Sequence, residues 1–390
     1  MSQATISTPR PTAAPTDFQR RLVAHADAAV EWLRRSIAAC GGRGSAAYYS
    51  RWYRPARGWA PPYPETTGYI IETLIAHADF ARRPELVKLA LSQADWIRTL
   101  QEDDGALPGG WIAGDRKPPP SIFNTGQMIL GLVAAADLSG DATYLQSAHR
   151  AAAWLAGQVD PATGTWMAHS YVPGHSPAYY TRVAWPVLEV WRRTGDPSLK
   201  GAAGRVLEAI ASWQQPNGAI RNWEFRPGQP AFTHTMAYTI RGFLESARLL
   251  GNEGDRFFDV ALRAADAVRR RMELRGRMAG AYDAELRGRY WYTCLTGNCQ
   301  FAIAWMKLGD RARDARFLSA ALKALEFVMR RQSLGAIDPN VRGAIAGSSP
   351  PWGRYLTLRY PNWAAKFFVD ACHAAHARLQ RLVEDGPCGL

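Results

Sequence analysis

Six side chains that could transfer a proton or stabilise a developing anion stand near the starts of predicted apolar helices. They are Glu65, Asn124, Tyr180, Arg182, His234 and Tyr238. His234 and Tyr238 are four residues apart, which places both on one face of a helix. Histidine, tyrosine and carboxyl groups act as general acids or bases, and arginine or asparagine can stabilise a developing anion. The set predicts proton-transfer chemistry, with a structural role as the alternative for His234 and core packing as the alternative for Tyr238.

A short threonine-centred phrase recurs along the chain at intervals of 54 to 61 residues. Its copies are centred on Thr67, Thr125, Thr181, Thr235 and Thr296, and a degenerate sixth copy spans 360–363. Each copy opens an apolar helix, and self-similarity at such a period indicates an array of one supersecondary unit. Threonine at a helix start is a common N-cap, so we expect these five residues mainly to cap helices.

The pattern predicts six antiparallel helical hairpins with tight returns such as Gly140-Asp141 and Gly195-Asp196. The predicted helices lie near 18–40, 67–82, 84–100, 124–138, 141–157, 177–193, 197–214, 233–249, 253–273, 292–307, 311–331 and 361–381. The second helix of each pair is apolar nearly all round, whereas the first carries arginines on one face. We therefore predict an all-α fold, an (α/α)6 toroid of six inner and six outer helices, over an open solenoid. All long loops fall on one face.

Composition bounds the remaining possibilities. The chain has 390 residues, 47% of them hydrophobic, which indicates one toroid domain over 18–390 after a disordered leader over 1–17. The leader lacks the features of a secretory signal and no window resembles a membrane span, so a cytoplasmic location is expected. The formal charge of +13 is spread over dispersed arginines, which argues against a nucleic-acid partner. The scattered cysteines fit no metal-site spacing, and we expect no metal and no cofactor.

Two stretches carry a resemblance to known families. Leu100-Gln101, Gly105 and Trp111 together resemble a loosened Gln-Trp repeat of squalene-cyclase-like proteins. The chain is similar to the toroid superfamily of six-hairpin glycosidases, polysaccharide lyases, sugar epimerases and terpene cyclases. The stretches 350–355 (PPWGRY) and 360–368 (YPNWAAKFF) resemble toroid proteins encoded with bacterial exopolysaccharide biosynthesis. The resemblance implies a polysaccharide or oligosaccharide substrate, with polysaccharide-biosynthesis proteins as possible partners.

Helix N-termini that converge on the loop face would favour an anionic group such as a uronate carboxylate. The set of Asn124, Arg182, His234 and Tyr238 resembles the constellations of toroid polysaccharide lyases. In such a site Arg182 or Asn124 would neutralise the carboxylate while His234 or a tyrosine takes the C5 proton. Protonation of the leaving oxygen by Tyr180 or Tyr238 gives a lyase, and return of the proton to the opposite face gives a C5 epimerase.

Two alternatives stay open. A glycoside hydrolase would need two carboxyl groups that flank the bond, and Glu65 and Glu224 stand beside the aromatic residues Tyr63 and Trp223. A non-catalytic glycan-binding component of a polysaccharide assembly system is the other alternative.

Further polar and aromatic residues of the loops and helix starts are candidates for substrate binding, with loop anchoring or core packing as the alternative. They are Trp59, Tyr63, Trp111, Gln127, Trp166, Tyr179, Trp223, Glu224, Tyr292, Asn298, Trp352, Asn362 and Lys366.

Overall fold

A computed structural model describes residues 16–52, 58–114 and 117–385. Within these ranges twelve α-helices alternate between an outer and an inner ring. The outer helices are α1 (Asp17–Ala38), α3 (Glu85–Leu100), α5 (Ala142–Gly157), α7 (Pro197–Ala211), α9 (Asp255–Arg269) and α11 (Ala315–Met329). The inner helices are α2 (Pro64–Phe80), α4 (Ile122–Ser139), α6 (Thr181–Thr194), α8 (Thr233–Leu250), α10 (Leu295–Ala312) and α12 (Asn362–Asp385).

The inner helices close into a ring. Each packs against the next along the chain, from α2 to α12, and α12 returns to contact α2. Outer helices α3, α5, α7, α9 and α11 pack on the inner helix that precedes them, while α1 packs on α12. The predicted (α/α)6 toroid is therefore confirmed. Of the predicted leader, residues 1–15 lie outside the described part of the chain, and Thr16 caps α1 through a bond from the Gln19 amide.

Short strands on the long-loop face join loops that are far apart in sequence. These strands are β1 (Tyr48–Ser50), β2 (Gly58–Trp59), β3 (Ala231–Phe232), β4 (Ala281–Tyr282), β5 (Thr293–Cys294), β6 (Ser348–Ser349) and β7 (Arg359–Pro361). Strand β1 pairs antiparallel with β2 and with β7, so the first long loop is bonded to the last one. The ring is thus closed by backbone hydrogen bonds as well as by helix packing.

The recurrent threonines do not cap the inner helices, so that expectation is wrong. Side-chain caps come instead from Ser121 on α4 and Cys294 on α10. Thr67 Oγ1 accepts from the Ser45 amide at 2.9 Å and donates to the Tyr63 carbonyl at 2.8 Å. Thr125 Oγ1 bonds in both directions to the Leu107 backbone. These threonines lie inside the helix, where their hydroxyls hold the preceding long loop against it.

Helix α4 is the one helix in the described ranges that is long and apolar enough to cross a membrane. In the fold it belongs to the inner ring, where 67% of that segment is buried. Its apolar composition is accounted for by contacts with α2, α5 and α6.

Glycines allow the inner helices to approach closely. A Cβ on Gly68 would lie 2.6 Å from the Met128 Cα of α4. A Cβ on Gly242 of α8 would lie 2.3 Å from the Thr181 carbonyl carbon and 2.5 Å from the Arg182 amide nitrogen of α6. Both obstacles are backbone atoms, which cannot swing aside as a flexible side chain would. The glycine of the Thr67-Gly68 phrase therefore sets how tightly the ring closes.

We expect Gly242→Ala to destabilise the protein by about 1–3 kcal/mol, because the added methyl group must push two inner helices apart. The matched control is Gly204→Ala in the interior of outer helix α7, where nothing lies within 4 Å of the added Cβ. That change should stabilise the fold by about 1 kcal/mol through helix propensity. Urea unfolding followed by circular dichroism measures both. Equal effects from the two substitutions would show that inner-helix contact does not limit the ring.

Candidate active site

A cavity of about 930 Å³ opens at the centre of the long-loop face. Helices α2, α4, α8 and α12 contribute to it from their first turns, and Tyr179 contributes from the short 3-10 turn that precedes α6. Its lining includes Tyr63, Glu65, Tyr69, Ser121, Phe123, Asn124, Tyr179, Phe225, Arg226, Phe232, His234, Tyr238, Tyr355 and Trp363. Because several helix N-termini point into one space, their dipoles add a positive potential there. The volume lies within the usual range for small-molecule sites, roughly 300–1,000 Å³.

Glu65 is the carboxyl group of this cavity, and its side chain is almost completely buried, with 7% of the residue exposed. Burial raises the pKa of Glu65 to about 7, against smaller lowering effects from the Tyr63 hydrogen bond and the charge of Arg182. With the Asn124 amide oriented so that Oδ1 accepts from the Gly110 amide at 2.8 Å, Nδ2 lies 3.3 Å from Glu65 Oε2 and donates to it. The carboxyl group is thus fixed by two polar neighbours and can exchange a proton near neutral pH.

His234 presents a neutral imidazole to the same cavity. Burial lowers the pKa of His234 to about 3, only partly offset by its hydrogen bond to Gln300. Nδ1 lies 3.0 Å from Gln300 Oε1, an acceptor, so Nδ1 carries the proton. Nε2 has no hydrogen-bond partner among the described residues and is left with a lone pair that can accept a bond from a ligand.

Tyr238 forms the floor of the cavity together with Tyr69. The two hydroxyl oxygens are 3.5 Å apart, and Tyr238 is the donor. Burial raises the pKa of Tyr238 well above its usual value, while the charge of Arg182 lowers it. Tyr238 is therefore protonated at neutral pH and can donate a hydrogen bond or a proton.

Arg182 lies beneath this floor and does not line the cavity. Only 1% of the residue is exposed, and its Nε donates to Gln127 Oε1 at 2.8 Å. The guanidinium carbon lies 4.7 Å from the centre of the Tyr238 ring and 5.7 Å from that of Tyr69. Direct contact between Arg182 and a substrate, as the sequence suggested, would require the two tyrosines to move.

Seven aromatic rings form a closed circuit in the cavity wall, each within 4.3–6.1 Å of the next between ring centres. In order they are Phe123, Tyr179, Phe225, Phe232, Tyr355, His234 and Tyr238. The candidate list from the sequence omitted Tyr69, Phe123, Phe225, Phe232, Tyr355 and Trp363. Phe123 and Trp363 could have been predicted from the sequence, since both stand inside the repeated phrase, next to Asn124 and Asn362.

Six predicted site residues meet at the cavity, namely Glu65, Asn124, His234, Tyr238, Tyr63 and Tyr179. Tyr180 lies outside the lining and donates to Ser170 Oγ at 3.0 Å. Glu224 is half-buried and also outside the lining, so Glu65 is the one Asp or Glu that lines the cavity among the described residues. Among the described residues, the carboxyl pair that the hydrolase alternative requires is not brought together across this space.

The other predicted binding residues hold the scaffold or lie outside the cavity. Four of them are buried and hydrogen-bonded within the scaffold. Gln127 bonds to Arg182, and Asn298 bonds to the carbonyls of Gly276 and Ala324. Asn362 bonds to Ser45 and Thr66, and Lys366 bonds to Asp370. Trp59 packs on Trp32 and Tyr49. The indole of Trp166 donates a hydrogen bond to the Leu155 carbonyl. Trp223 and Tyr292 are buried but do not line the cavity. Trp111 and Trp352 are exposed outside the lining, with 43% and 65% of each residue accessible.

Comparisons with solved structures support the toroid fold across nearly the whole chain. An unsaturated glucuronyl hydrolase specific for heparin superposes with a TM-score of 0.73 at 15% identity, over 93% of this chain and 98% of its own. A cellobiose 2-epimerase from Bacillus thermoamylovorans B4167 gives a TM-score of 0.74 at 10% identity, over 93% and 99%. An unsaturated glucuronyl hydrolase from Bacillus sp. GL1 gives 0.70 at 14% identity, over 91% and 96%.

No protein-family model matches the sequence, and no curated protein matches it. At these identities the structural likeness establishes the fold, an (α/α)6 toroid, and leaves the reaction to be argued from the residues of the cavity.

Proposed function

We propose that this protein is a carbohydrate-active enzyme that transfers a proton at a sugar carbon, with Glu65 as the general acid or base. The observation that carries the proposal is a single buried carboxyl group whose pKa is raised to about 7 in an aromatic cavity. Proton transfer is most efficient when the pKa of the catalytic group is close to the working pH. Structural neighbours that include a sugar epimerase and uronide-acting hydrolases support a saccharide as the substrate.

The preferred reaction is abstraction of the C5 proton of a uronate, as in a lyase or a C5 epimerase. Glu65 in its ionised form would take the proton, a role that the sequence had favoured for His234. The low pKa of His234 makes its imidazole a weak base, so we assign it a hydrogen-bond acceptor role towards a sugar hydroxyl. Tyr238, which stays protonated, would serve as the acid on the other side of the reacting carbon.

Two features support an acidic sugar. The helix N-termini around the cavity favour an anion, and the exposed Arg226 at its mouth is the one Lys or Arg in the described lining. The aromatic rings offer flat faces for the sugar C–H groups. An exopolysaccharide or its precursor, handled inside the cell beside polysaccharide-biosynthesis proteins, remains the proposed context.

A second candidate is hydrolysis of an unsaturated uronide, the activity named for two structural neighbours. Such a reaction also needs one carboxyl group, which would protonate the C=C bond of the substrate before water adds. This candidate uses Glu65 in its protonated form, whereas proton abstraction uses the ionised form.

The functional test incubates the protein with acidic and neutral polysaccharides and with unsaturated uronide oligosaccharides. Ultraviolet absorbance of the C=C bond rises for a lyase and falls for the unsaturated-uronide hydrolase. Deuterium uptake from solvent at C5, without change in either absorbance or reducing ends, identifies an epimerase. Saturable glycan binding with no signal in any channel would leave the non-catalytic alternative and refute the proposed chemistry.

We expect Glu65→Gln to lower kcat/KM by about 100- to 10,000-fold, because the amide cannot exchange a proton. In the wild type, proton abstraction predicts that kcat/KM rises with pH and levels off above about 7, the pKa of Glu65. Protonation of an unsaturated uronide predicts the opposite, a fall above that pH. Glu224→Gln is the matched control and should retain activity. Equal loss in both variants would instead support paired-carboxylate hydrolysis.

The raised pKa of Glu65 also predicts a pH-dependent stability. Because the pKa rises from 4.5 in the unfolded chain to about 7 in the fold, the stabilising contribution is complete below 4.5 and is lost as the pH rises through 7. The loss amounts to about 3 kcal/mol at 1.36 kcal/mol per pKa unit. Between these pH values, the difference in the free energy of unfolding between the wild type and Glu65→Gln should change by this amount. Urea unfolding at each pH measures it. Parallel curves would refute the burial-raised pKa.

A further inference from the structure

Arg182 is a buried cation, and no carboxylate in the described part of the chain lies within contact distance of its charge. Among the described residues no Asp or Glu oxygen forms a salt bridge with its guanidinium, and its side-chain hydrogen bond goes to the neutral amide of Gln127. The other deep cations of the ring are paired: Lys366 bonds to Asp370 at 2.5 Å and Arg241 to Glu245 at 2.6 Å. Burying a charge without a contacting counter-ion is unfavourable, so the place of Arg182 in the fold needs an explanation.

The partners of Arg182 are aromatic faces. Its guanidinium carbon lies 4.7 Å from the ring centre of Tyr238, 5.1 Å from that of Trp185, 5.3 Å from that of Phe367 and 5.7 Å from that of Tyr69. Cation–π contacts are stronger for a desolvated guanidinium than for an exposed one, so these rings stabilise the buried charge. Two of the four rings, Tyr69 and Tyr238, have hydroxyl groups that can ionise, and these are the rings that form the cavity floor.

We propose that Arg182 is a positioning residue that acts through Tyr238, stabilising the tyrosinate that forms when Tyr238 donates its proton to the substrate. The inference rests on the proposed function and deepens it by giving Tyr238 the role of the acid. A phenol next to a fixed cation gains more from that cation after losing its proton than before. Arg182 therefore favours the transition state of proton donation over the resting state.

The proton balance follows for both preferred reactions. In elimination, ionised Glu65 takes the C5 proton, the C5–H electron pair forms the C4=C5 bond, and the C4–O bond breaks. The leaving oxygen takes the proton of Tyr238, and the phenol becomes a tyrosinate. In epimerisation, Glu65 takes the C5 proton, and the C5–H electron pair is delocalised onto the carboxylate of the substrate. The pair returns to C5 as Tyr238 delivers its proton on the face opposite Glu65. In either case water returns the proton from Glu65 to Tyr238 after turnover.

Tyr69 is placed to assist the same step. Its hydroxyl oxygen is 3.5 Å from that of Tyr238, so it can turn and donate to the tyrosinate once the Tyr238 proton has left. The charged and titratable groups that face Tyr238 come from every side of the cavity. They are Arg182 on α6, Glu65 and Tyr69 on α2, Tyr63 before α2, Tyr179 before α6, His234 on α8, Cys294 before α10 and Tyr355 before α12. Of these, Arg182 is the positive charge, and it lowers the pKa of Tyr238.

The test replaces Tyr238 with a difluorotyrosine, whose phenol ionises at lower pH than tyrosine, and follows tyrosinate absorbance against pH. In this background Arg182→Met should raise the pKa of the phenol by about one unit or more, since a one-unit shift corresponds to 1.36 kcal/mol of lost interaction. Methionine fills much of the space and needs no charge partner. Arg182→Lys, which keeps the charge, should recover part of the shift.

The control is Arg241→Gln, which removes a guanidinium from the same ring, paired with Glu245 and stacked on Trp185 but not on Tyr238. The pKa of the phenol should not rise in this variant. An unchanged pKa in Arg182→Met, or an equal rise in Arg241→Gln, would overturn the inference. The titration needs no substrate, so it separates failure of the Arg182–Tyr238 coupling from failure of the proposed reaction. Circular dichroism at each pH verifies that the variants are folded.

Discussion

The closure of six inner helices at near-contact distance is the constraint on which the site depends. Where glycine faces a neighbouring backbone, as Gly68 faces Met128, the helices approach until a methyl group no longer fits. Polar side chains from the first turns of different helices are thereby brought together and buried, as Glu65 and His234 are. A ring held wider by larger residues would hydrate Glu65 and His234 and return their pKa values towards the ordinary range. Helix packing and acid-base chemistry are therefore linked through desolvation.

Desolvation shifts the pKa values of the two buried titratable groups Glu65 and His234 in opposite directions. It disfavours the charged form in each case, so it raises the pKa of Glu65 and lowers that of His234. Both residues are consequently neutral over part of the physiological range, while Arg182 below them remains a cation. The floor of the cavity thus has an excess of positive potential before any ligand binds. An anionic sugar that enters would be attracted by this excess and by the converging helix N-termini.

Much of the architecture was predictable from periodicity, and the reason is physical. Inner helices must be apolar on all sides and outer helices on one, so a hydropathy pattern repeated six times specifies two rings. The predicted bounds of α4, 124–138, differ little from the observed Ile122–Ser139. The role of the recurrent threonines was not predictable from the sequence. A threonine that caps a helix cannot be told by sequence from one whose hydroxyl bonds to a loop, as that of Thr125 bonds to the Leu107 backbone. The predicted contact between Arg182 and a substrate was wrong for a related reason. The sequence indicates which helix carries Arg182 but not that the side chain lies beneath Tyr69 and Tyr238.

The aromatic circuit shows how depth and function are connected. Phe225 lies in the loop before β3 and Phe232 lies in β3. The ring of helices brings Phe225 into contact with Tyr179 and Phe232 into contact with Tyr355, which is far from it in sequence. These rings line the same cavity as Glu65, and a sugar bound against them would keep water from the carboxyl group and so maintain its raised pKa. Tyr238 of this circuit, together with Tyr69, also covers Arg182, so the field of the guanidinium reaches the cavity through polarisable rings instead of through solvent, where it would be screened. The aromatic wall therefore affects the pKa of Glu65 and the field of Arg182, and it also provides a surface on which a sugar can bind.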